Sequence, residues 1–409
     1  MSDVRSRSTG SHHLYLHVPF CRLVCGYCDF VLVGGRAADI PRYVDALLGE
    51  LEMRPLPGPP RSIYFGGGTP SLLPAASVAH VLERATRGWA HRPLEVTLEA
   101  NPSRREAPDW HGLRAAGVDR ISLGAQSLHD APLRALARGH TAAEVRDAYA
   151  AARAAGFDNV SLDLIYGIPG QSLAAWQADL SALVDLAPDH VSLYALQLAV
   201  APDEWAAPPR PGALRWRRRM IERQDDALAE AQYRAAEERL GAAGYQHYEL
   251  SSWALPGRQS VHNTAYWQRR PYTGLGAGAH SYDGHALRSW NERDLDRYLA
   301  AGEGGRLPSV GSELLDEPTR AFEAVALGLR TVAGFSRSSF AAEFGSDPLD
   351  RYAAAVSAAE GRGLLAHDAA CLRLTAAGRL LANEVLLEFL PAAPQPAPGR
   401  PRARASTPA

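Results

Sequence analysis

Three cysteines lie within eight residues near the start of the chain, at Cys21, Cys25 and Cys28. The CxxxCxxC spacing is too tight, and the number too odd, for a disulfide framework. Three thiolates in one loop can hold three irons of a 4Fe-4S cluster and leave the fourth iron open to a small molecule. A structural zinc completed by His17 is the alternative, although zinc knuckles usually use paired CxxC or CxxH ligands at a distance.

A second motif, Gly66-Gly67-Gly68-Thr69-Pro70-Ser71, follows a short β-rich run. Consecutive glycines let backbone N–H and C=O groups approach a ligand closely. Binding an ammonium group at the end of a strand requires such an approach. Three glycines alone are also typical of an ordinary loop. Their combination with the cysteine cluster indicates a ligand site.

Short β-rich runs alternate with amphipathic helical segments, which predicts right-handed βαβ crossovers and a parallel sheet of the α/β class. The runs are Leu14–Pro19, Ser62–Phe65, Leu94–Leu98, Arg120–Leu123, Val160–Tyr166 and Val191–Leu196. The helical segments include Tyr43–Met53, Ser77–Thr86, Ala142–Ala155 and Leu173–Leu186. Gly, Asn, Gln and Pro follow the runs directly, which favours a barrel whose strand C-termini carry the chemistry.

Changes in composition along the chain predict its organisation. We expect a disordered N-terminus (1–13), a core barrel (14–200), a Pro-rich linker (201–214), an accessory domain (215–316), a helix-and-wing module (317–390) and a disordered tail (391–409).

The composition excludes several classes of protein. The chain has 409 residues, and all 43 of its basic residues are Arg, so a Walker A lysine, a kinase lysine and a pyridoxal Schiff base are excluded. The net charge of −2 argues against binding nucleic acid through bulk positive charge. Because no run of 18 or more apolar residues and no signal-like segment occurs, we expect a cytoplasmic protein that is not integral to a membrane.

The cysteine and glycine motifs together resemble the radical S-adenosylmethionine (SAM) superfamily, and further segments resemble its oxygen-independent coproporphyrinogen III oxidase-like family. The matching segments are 15–21, 66–71, 99–102, 120–127, 138–140, 163–171, 190–194 and 262–267. This resemblance implies a partial (β/α)6 TIM-like radical SAM barrel followed by a mixed α/β and helical, winged-helix-like accessory domain. It also implies a 4Fe-4S cluster on Cys21, Cys25 and Cys28, with SAM on the open iron.

The same resemblance implies which residues line the SAM site: Tyr15, Gly67, Gly68, Thr69, Glu99, Gln126, Arg138 and Asp163. Their chemistry suits SAM, since Arg138 can fork onto a carboxylate, Glu99 can bind an ammonium, and Asp163 can accept ribose hydroxyl protons. Taken singly, Arg138 and Asp163 are also consistent with ordinary surface ion pairs.

Within the family, true oxidases resemble CxxxCxxCxC and carry a longer N-terminal segment, whereas the heme-chaperone, HemW-type branch has Phe at the last position. This chain has Phe30 there, about a dozen polar residues before the first strand, and the segment His262-Asn-Thr-Ala-Tyr266-Trp267, which resembles the HNxxYW motif of that branch. A His can ligate heme iron, and Tyr and Trp offer flat surface to a porphyrin. Packing in a domain interface is the alternative for this segment, and His140, His247 and His280 are other candidate axial ligands.

We therefore expect a protein that binds heme, carries a cluster with SAM, and has an acceptor hemoprotein and an electron donor as partners. The sequence leaves open whether the protein contacts a membrane peripherally through its partner. It also leaves open whether SAM is cleaved. The alternative is an oxygen-independent coproporphyrinogen III oxidase that decarboxylates propionates by a 5′-deoxyadenosyl radical. A run of basic residues over 215–219 predicts a solvated helix face, with contact to porphyrin carboxylates or an acidic partner as the alternative.

Overall fold

The computed structural model describes residues 12–198 and 212–391. Most of the predicted linker (201–214), most of the N-terminal segment (1–13) and the tail from 392 lie outside the described residues. Two expected boundaries are wrong by two residues each, because His12 and His13 are buried in a strand and residues 213–214 belong to a helix. In chain order the strands are β1 (His12–Val18), β2 (Phe20–Cys21), β3 (Val33–Gly34), β4 (Pro60–Gly67), β5 (Glu95–Ala100), β6 (Arg120–Gln126), β7 (Val160–Tyr166), β8 (His190–Ala195), β9 (Gln246–Glu249), β10 (Ser252–Ala254), β11 (Tyr272–Leu275), β12 (His280–Tyr282), β13 (Leu287–Asn291), β14 (Ser309–Leu314), β15 (Phe335–Ser336), β16 (Leu365–His367) and β17 (Cys371–Leu374).

The helices surround these strands. They are α1 (Ile40–Met53), α2 (Ala75–Thr86), α3 (Trp110–Ala116), α4 (Asp130–Ala135), α5 (Ala142–Ala154), α6 (Leu173–Leu186), α7 (Ala213–Ile221), α8 (Asp226–Ala242), α9 (Val261–Trp267), α10 (Leu295–Glu303), α11 (Glu317–Gly328), α12 (Arg337–Phe344), α13 (Pro348–Arg351), α14 (Ala353–Gly361), α15 (Ala376–Leu380) and α16 (Ala382–Leu387). Among the described residues, no helix is both long and apolar enough to cross a membrane.

Six parallel strands form the centre of the main sheet, in the order β1-β4-β5-β6-β7-β8. They correspond to the six runs predicted from the sequence, and α1, α2, α5 and α6 lie within a few residues of the predicted helices. The sheet ends at β9 on one side and at β14 on the other, so it does not close. The prediction of a partial (β/α)6 TIM-like barrel is confirmed.

Burial on both faces explains why these strands read as nearly continuous apolar runs. Every residue of β1 except Tyr15 is buried, and Leu14, Leu16 and Val18 belong to the main core. Several helices begin at side-chain caps; at the start of α6, for example, the Ser172 hydroxyl accepts a hydrogen bond from the Ala175 N–H. Such caps satisfy backbone donors that have no partner within the helix.

Strands from beyond residue 212 extend both edges of the parallel sheet. On one edge β11 pairs in parallel with β1 and continues into the antiparallel strands β12, β13 and β14. On the other edge β10 pairs antiparallel with β8 and β9 with β10. An open sheet leaves unpaired backbone groups at its edges, and these strands cover them. The region expected as an accessory domain thus shares one sheet with the barrel.

The C-terminal module has a core of its own. Helices α11 to α16 surround the small sheet β15-β17-β16, and buried residues such as Val325, Phe340, Leu372 and Phe389 form a cluster separate from the barrel core. The predicted short strand around Leu372–Leu374 is present as β17. An ion pair of 2.8 Å between Arg379 and Glu237 connects this module to α8.

Candidate functional site: a thiol-lined cavity at the barrel mouth

The three clustered cysteines lie in the loop after β1 and wall the same cavity. Cys21 ends β2, whose pairing with β3 anchors the start of the loop, and the Cys28 N–H donates to the Cys25 carbonyl at 3.2 Å. All three thiols are free. Burial raises the pKa of Cys21 to about 11 and that of Cys28 to about 12. Bound iron would supply the positive charge that stabilises buried thiolates, so the donor set fits an iron–sulfur cluster.

His17 does not complete a zinc site with these cysteines. Its Nδ1 lies 3.0 Å from the Tyr15 hydroxyl and its Nε2 lies 2.6 Å from the Val31 carbonyl, so both ring nitrogens have partners. Within residues 12–198 and 212–391, no three His, Cys, Asp or Glu side chains are arranged around a single metal ion. A cluster, in which each thiolate binds a different iron, fits this spacing better than one zinc ion.

The glycine motif brings backbone against the cysteine loop. A Cβ on Gly68 would lie 2.6 Å from the Phe20 carbonyl oxygen, and Gly67 has φ +115° with its Cβ position 2.6 Å from the His17 ring. The Thr69 hydroxyl lies 3.6 Å from the Cys21 sulfur. Only glycine allows this approach, so the motif fixes the cysteine loop against the end of β4.

Glu99, near the end of β5, has a carboxylate held by two donors. The Tyr64 hydroxyl donates to Oε1 at 2.8 Å and the Gly67 N–H donates to Oε2 at 3.0 Å. Burial raises the pKa of Glu99 to about 7, although these hydrogen bonds favour the ionised form. A cationic ligand in the cavity would stabilise the carboxylate, so Glu99 fits an ammonium.

Asp163 and Gln126 lie on neighbouring strands beside Glu99. Burial raises the pKa of Asp163, whose carboxylate accepts hydrogen bonds from Ser122 at 3.1 Å and Ser161 at 3.2 Å. A register shift between β6 and β7 accompanies Gln126, which has φ +66°. Bulges of this kind re-aim a side chain at the end of a strand, and here Gln126 lines the cavity.

Arg138 follows α4 and connects β6 to the cysteine loop. Its Nη1 lies 3.0 Å from the Cys25 sulfur and 3.3 Å from the Tyr27 hydroxyl, and its Nη2 donates to the Gly124 carbonyl at 3.0 Å. Its Nε is buried without a partner among the described residues. A guanidinium next to a sulfur ligand and with an unused donor fits an anionic group at the open iron.

Ten of the eleven residues expected at the cluster and SAM sites line this one cavity of about 330 Å³. They are Cys21, Cys25, Cys28, Gly67, Gly68, Thr69, Glu99, Gln126, Arg138 and Asp163. Tyr15 does not line the cavity, because its hydroxyl contacts His17 and its ring lies 6.2 Å from the Tyr64 ring. Strand ends from one edge of the parallel sheet therefore bring together residues up to 142 positions apart in sequence.

Several cavity residues were not predicted from the sequence, including Tyr64, Arg120 and Asn263. Arg120 is 1% exposed at the start of β6. Burial opposes its charge, but the Glu95 and Asp163 carboxylates help to keep its pKa above the ordinary value. The sequence does carry one signal for Arg120, which is an arginine at the start of an apolar strand. A charge buried at such a place needs a compensating group nearby.

Helix α9 carries the HNTAYW segment, and its start is fixed from the barrel. The Glu95 carboxylate accepts hydrogen bonds from the Ser260 hydroxyl and from the N–H groups of Val261 and His262. His262 is 1% exposed, with Nδ1 2.7 Å from the Ser62 hydroxyl and Nε2 2.9 Å from the Tyr266 hydroxyl. Burial lowers the pKa of His262 well below its usual range, so the ring stays neutral.

The other residues of the HNTAYW segment line different cavities. Asn263 lines the thiol-lined cavity, Tyr266 lines another cavity beside β11 to β13, and Trp267 lines a cavity next to the C-terminal module. Consecutive residues of a helix point about 100° apart, which explains the separation. The structure thus does not bring His262, Tyr266 and Trp267 together on one surface.

The three alternative histidines also lie apart. The His140 Nε2 lies 3.0 Å from the Ala125 carbonyl and the side chain is buried. His280 lines the same cavity as Tyr266, beside β11 to β13. His247 lines the cavity that Trp267 lines, and its Nδ1 lies 3.3 Å from Glu237. Of the three, His247 is therefore the one that shares a cavity with Trp267.

The interpretation of the basic run at 215–219 as a solvated face is wrong for Arg217. This residue is 2% exposed, its Nε donates to the Gly26 carbonyl at 2.8 Å, and its Nη2 lies 2.6 Å from the Asp29 carboxylate. The Trp216 ring packs on Gly26. Helix α7 therefore holds the cysteine loop, a contact that periodicity within α7 could not reveal because the loop lies far away in sequence.

Comparison with known proteins agrees with this geometry. Residues 15–183 match the Radical SAM superfamily, and residues 315–381 match the HemN C-terminal domain. A protein of Mycobacterium tuberculosis named "Heme chaperone HemW" is 37% identical over 390 residues, covering 92% of this chain and 94% of the relative. One of the same name from Escherichia coli is 34% identical over 394 residues, covering 92% and 97%.

A solved structure shares the fold. The coproporphyrinogen III oxidase HemN of Escherichia coli matches 92% of this chain and 89% of its own with a TM-score of 0.77 at 22% identity. Fold, cavity and sequence matches together define a radical SAM protein with a HemN-type C-terminal domain. Within that class, the chain belongs to the HemW family, a branch of the oxygen-independent coproporphyrinogen III oxidase-like proteins.

Proposed function

We propose that this protein is a heme chaperone, which binds heme and transfers it to an acceptor hemoprotein. In this proposal Cys21, Cys25 and Cys28 hold a 4Fe-4S cluster, and SAM binds its open iron. The observation that carries the proposal is the thiol-lined cavity in a chain that matches proteins named heme chaperone over 92% of its length.

The residue at position 30 supports the chaperone over the oxidase. The true oxidases resemble the pattern CxxxCxxCxC, in which the last position is a fourth cysteine. In this chain that position is Phe30, which lines the cavity and is 66% exposed. The remaining cysteine, Cys371, lies on β17 in the C-terminal module. The loop of this chain thus supplies three thiolates and an apolar ring facing the cavity.

Different residues around the cavity would bind different parts of the cluster and the cofactor. The cluster and SAM, when bound, supply electron transfer and radical chemistry. The Glu99 carboxylate would bind the ammonium, and the Arg138 guanidinium, whose Nε has no partner among the described residues, would bind the anionic group. Asp163 and Gln126 would accept ribose hydroxyl protons. Arg138 also donates to the Cys25 sulfur, which places one cation beside both cluster and cofactor.

The partners follow from the same proposal. A heme chaperone requires an acceptor hemoprotein, and a redox-active cluster requires an electron donor. We place the protein in the cytoplasm, where a reducing environment keeps clustered thiols from forming disulfides. The core barrel, the accessory region and the C-terminal module expected from composition are retained as part of this proposal, with the barrel starting at His12 and the linker ending before Ala213. The C-terminal module has a hydrophobic core of its own.

Anaerobic titration of cluster-reconstituted protein with heme, followed by Soret absorbance, tests the proposal. We expect saturation at one heme per chain and transfer of that heme to apomyoglobin as an acceptor probe. Iron and acid-labile sulfide should be present in equal amounts, and zinc without sulfide would contradict the cluster. Failure to bind heme, together with carbon dioxide release from coproporphyrinogen III at the expense of SAM, would instead establish the oxidase activity.

A further inference from the structure

A second cavity, of about 820 Å³, lies between the barrel side of the molecule and the C-terminal module. Residues of β9 and α9 form one wall, and residues of α11, α12 and the segment between them form the other. Among the described residues, none lines both this cavity and the thiol-lined one. Its volume lies in the range of ~300–1,000 Å³ that is typical of small-molecule sites.

Aromatic rings line much of this cavity. Trp267 contributes from α9, and Phe335, Phe340 and Phe344 contribute from the C-terminal module. The centroids of Phe340 and Phe344 are 4.6 Å apart. Aromatic walls on opposite sides of a cavity suit a large, flat and apolar ligand, which they contact face to face or edge to face.

The cavity also presents donors that lack acceptors. Trp267 Nε1 and Arg269 Nε are buried N–H groups without a hydrogen-bond partner among the described residues, and both residues line the cavity. Arg330 does not itself line the cavity, but its guanidinium lies 4.5 Å from the Trp267 ring centroid and its Nε is likewise buried without a partner among the described residues. Indole and guanidinium nitrogens can only donate, and each unsatisfied buried donor costs free energy. A ligand that satisfies them must carry acceptor oxygens.

The charges around the cavity favour acidic oxygens. Arg269 and Arg320 share one carboxylate, that of Glu343, at 3.0 Å and 3.3 Å. Arg330 has no carboxylate within ion-pair distance in the part of the chain that the structure describes. These three guanidinium groups therefore face a single carboxylate, which pairs with two of them, and a ligand with two carboxylates would balance the remaining charge.

The geometry points to this cavity as the binding site of a planar tetrapyrrole dicarboxylate, with the ring between Trp267 and the phenylalanines and the carboxylates toward Arg269 and Arg330. This inference rests on the proposed function, since heme is the flat dicarboxylate that a heme chaperone carries. It separates the site of the cargo from the thiol-lined cavity. Contacts to the ring faces and carboxylates require no iron, so metal-free protoporphyrin should bind as well.

Filling the cavity tests the site. Ser339 lines the cavity and is exposed on α12, whereas Ser338, also exposed on the same helix, does not line it. In full-length, cluster-reconstituted protein, we expect Ser339→Trp to raise the Kd for heme and for protoporphyrin at least tenfold. Ser338→Trp, the matched control, should leave both within twofold.

Replacing Arg330, which has no carboxylate partner among the described residues, gives a second, independent test. Arg330→Gln should raise both Kd values about tenfold, because it removes a charged donor from the carboxylates. Arg297→Gln, at a 77% exposed side chain on α10, is its control. Tight heme binding to wild type and equally tight binding to Ser339→Trp would overturn the site and leave the proposed function standing. Wild-type protein that binds neither heme nor protoporphyrin would overturn both.

Discussion

The Arg217 guanidinium on α7 lies 2.6 Å from the Asp29 carboxylate in the loop that carries the three cysteines. The same guanidinium donates to the Gly26 carbonyl at 2.8 Å and to the Cys28 carbonyl at 3.2 Å. A single side chain from beyond the parallel strands therefore holds two backbone carbonyls and one carboxylate of the cysteine loop. Loop and helix are far apart in sequence, so this clamp exists only in the folded chain.

We expect Arg217→Ala to loosen the cysteine loop, because it leaves the half-buried Gly26 and Cys28 carbonyls without this donor. Reconstituted protein should contain at most half the wild-type iron and sulfide per chain and lose cluster faster in air. Arg218→Ala is the matched control, since Arg218 is the exposed neighbour on the same helix. Equal iron retention in the two variants would show that the clamp has no part in holding the loop.

Arg138→Ala should weaken SAM binding while leaving the cluster in place. The substitution removes a charged donor that lies beside Cys25, and hydrogen bonds to charged groups contribute ~1.5–3 kcal/mol, or roughly 10- to 100-fold in Kd. Equilibrium binding of SAM to the reconstituted protein measures this, with iron content determined on the same sample. Arg134→Ala, at an exposed position on α4, is the control. Unchanged SAM affinity would remove Arg138 from the site.

SAM affinity should depend on pH through Glu99. Burial raises the pKa of this carboxyl from 4.5 to about 7, and only the ionised form attracts an ammonium. SAM should therefore bind more tightly as the pH rises from 6 to 8 and reach a plateau above that. Glu99→Gln should bind weakly at every pH and flatten the profile. A wild-type profile that is flat over this range would contradict the assignment.

The same shift affects stability, with the opposite trend. Between pH 4.5 and about 7 the folded protein holds a proton on Glu99 that the unfolded chain has lost. The free energy of unfolding should therefore fall as the pH rises through this window. In the absence of SAM, Glu99→Gln should weaken this dependence, as thermal unfolding at pH 5 and pH 8 would show.

His262→Ala should cost stability and leave heme binding intact. His262 connects the Ser62 hydroxyl to the Tyr266 hydroxyl inside the protein, and a buried group that loses its partner costs ~1–3 kcal/mol. We expect a lower Tm for His262→Ala and for Ser62→Ala, with His111→Ala, at an exposed position, as the control. Loss of the heme Soret shift from folded His262→Ala, with the shift retained in Ser62→Ala, would make His262 a heme ligand.

The local sequence pattern was sufficient to predict the barrel. The six parallel strands are short apolar runs, and amphipathic helical periods follow them, with side-chain caps at the starts of α5 and α6. Cys21 and Gly67 could be recognised from residue type and spacing, whereas Glu99 and Arg138 were assigned through the resemblance of their segments to a known family. What a residue does within its own element is a local property, and the sequence alone determined it.

The tertiary structure decided which distant groups meet. The strands β9 to β14 join the barrel sheet because its open edges need partners, which no local pattern records. Arg217 is a clamp rather than a solvated charge, Tyr15 contacts His17 rather than lining the cavity, and His262 is locked between two hydroxyls. These outcomes depend on packing across long sequence separations, so only the folded chain determines whether a polar side chain faces a ligand or another residue.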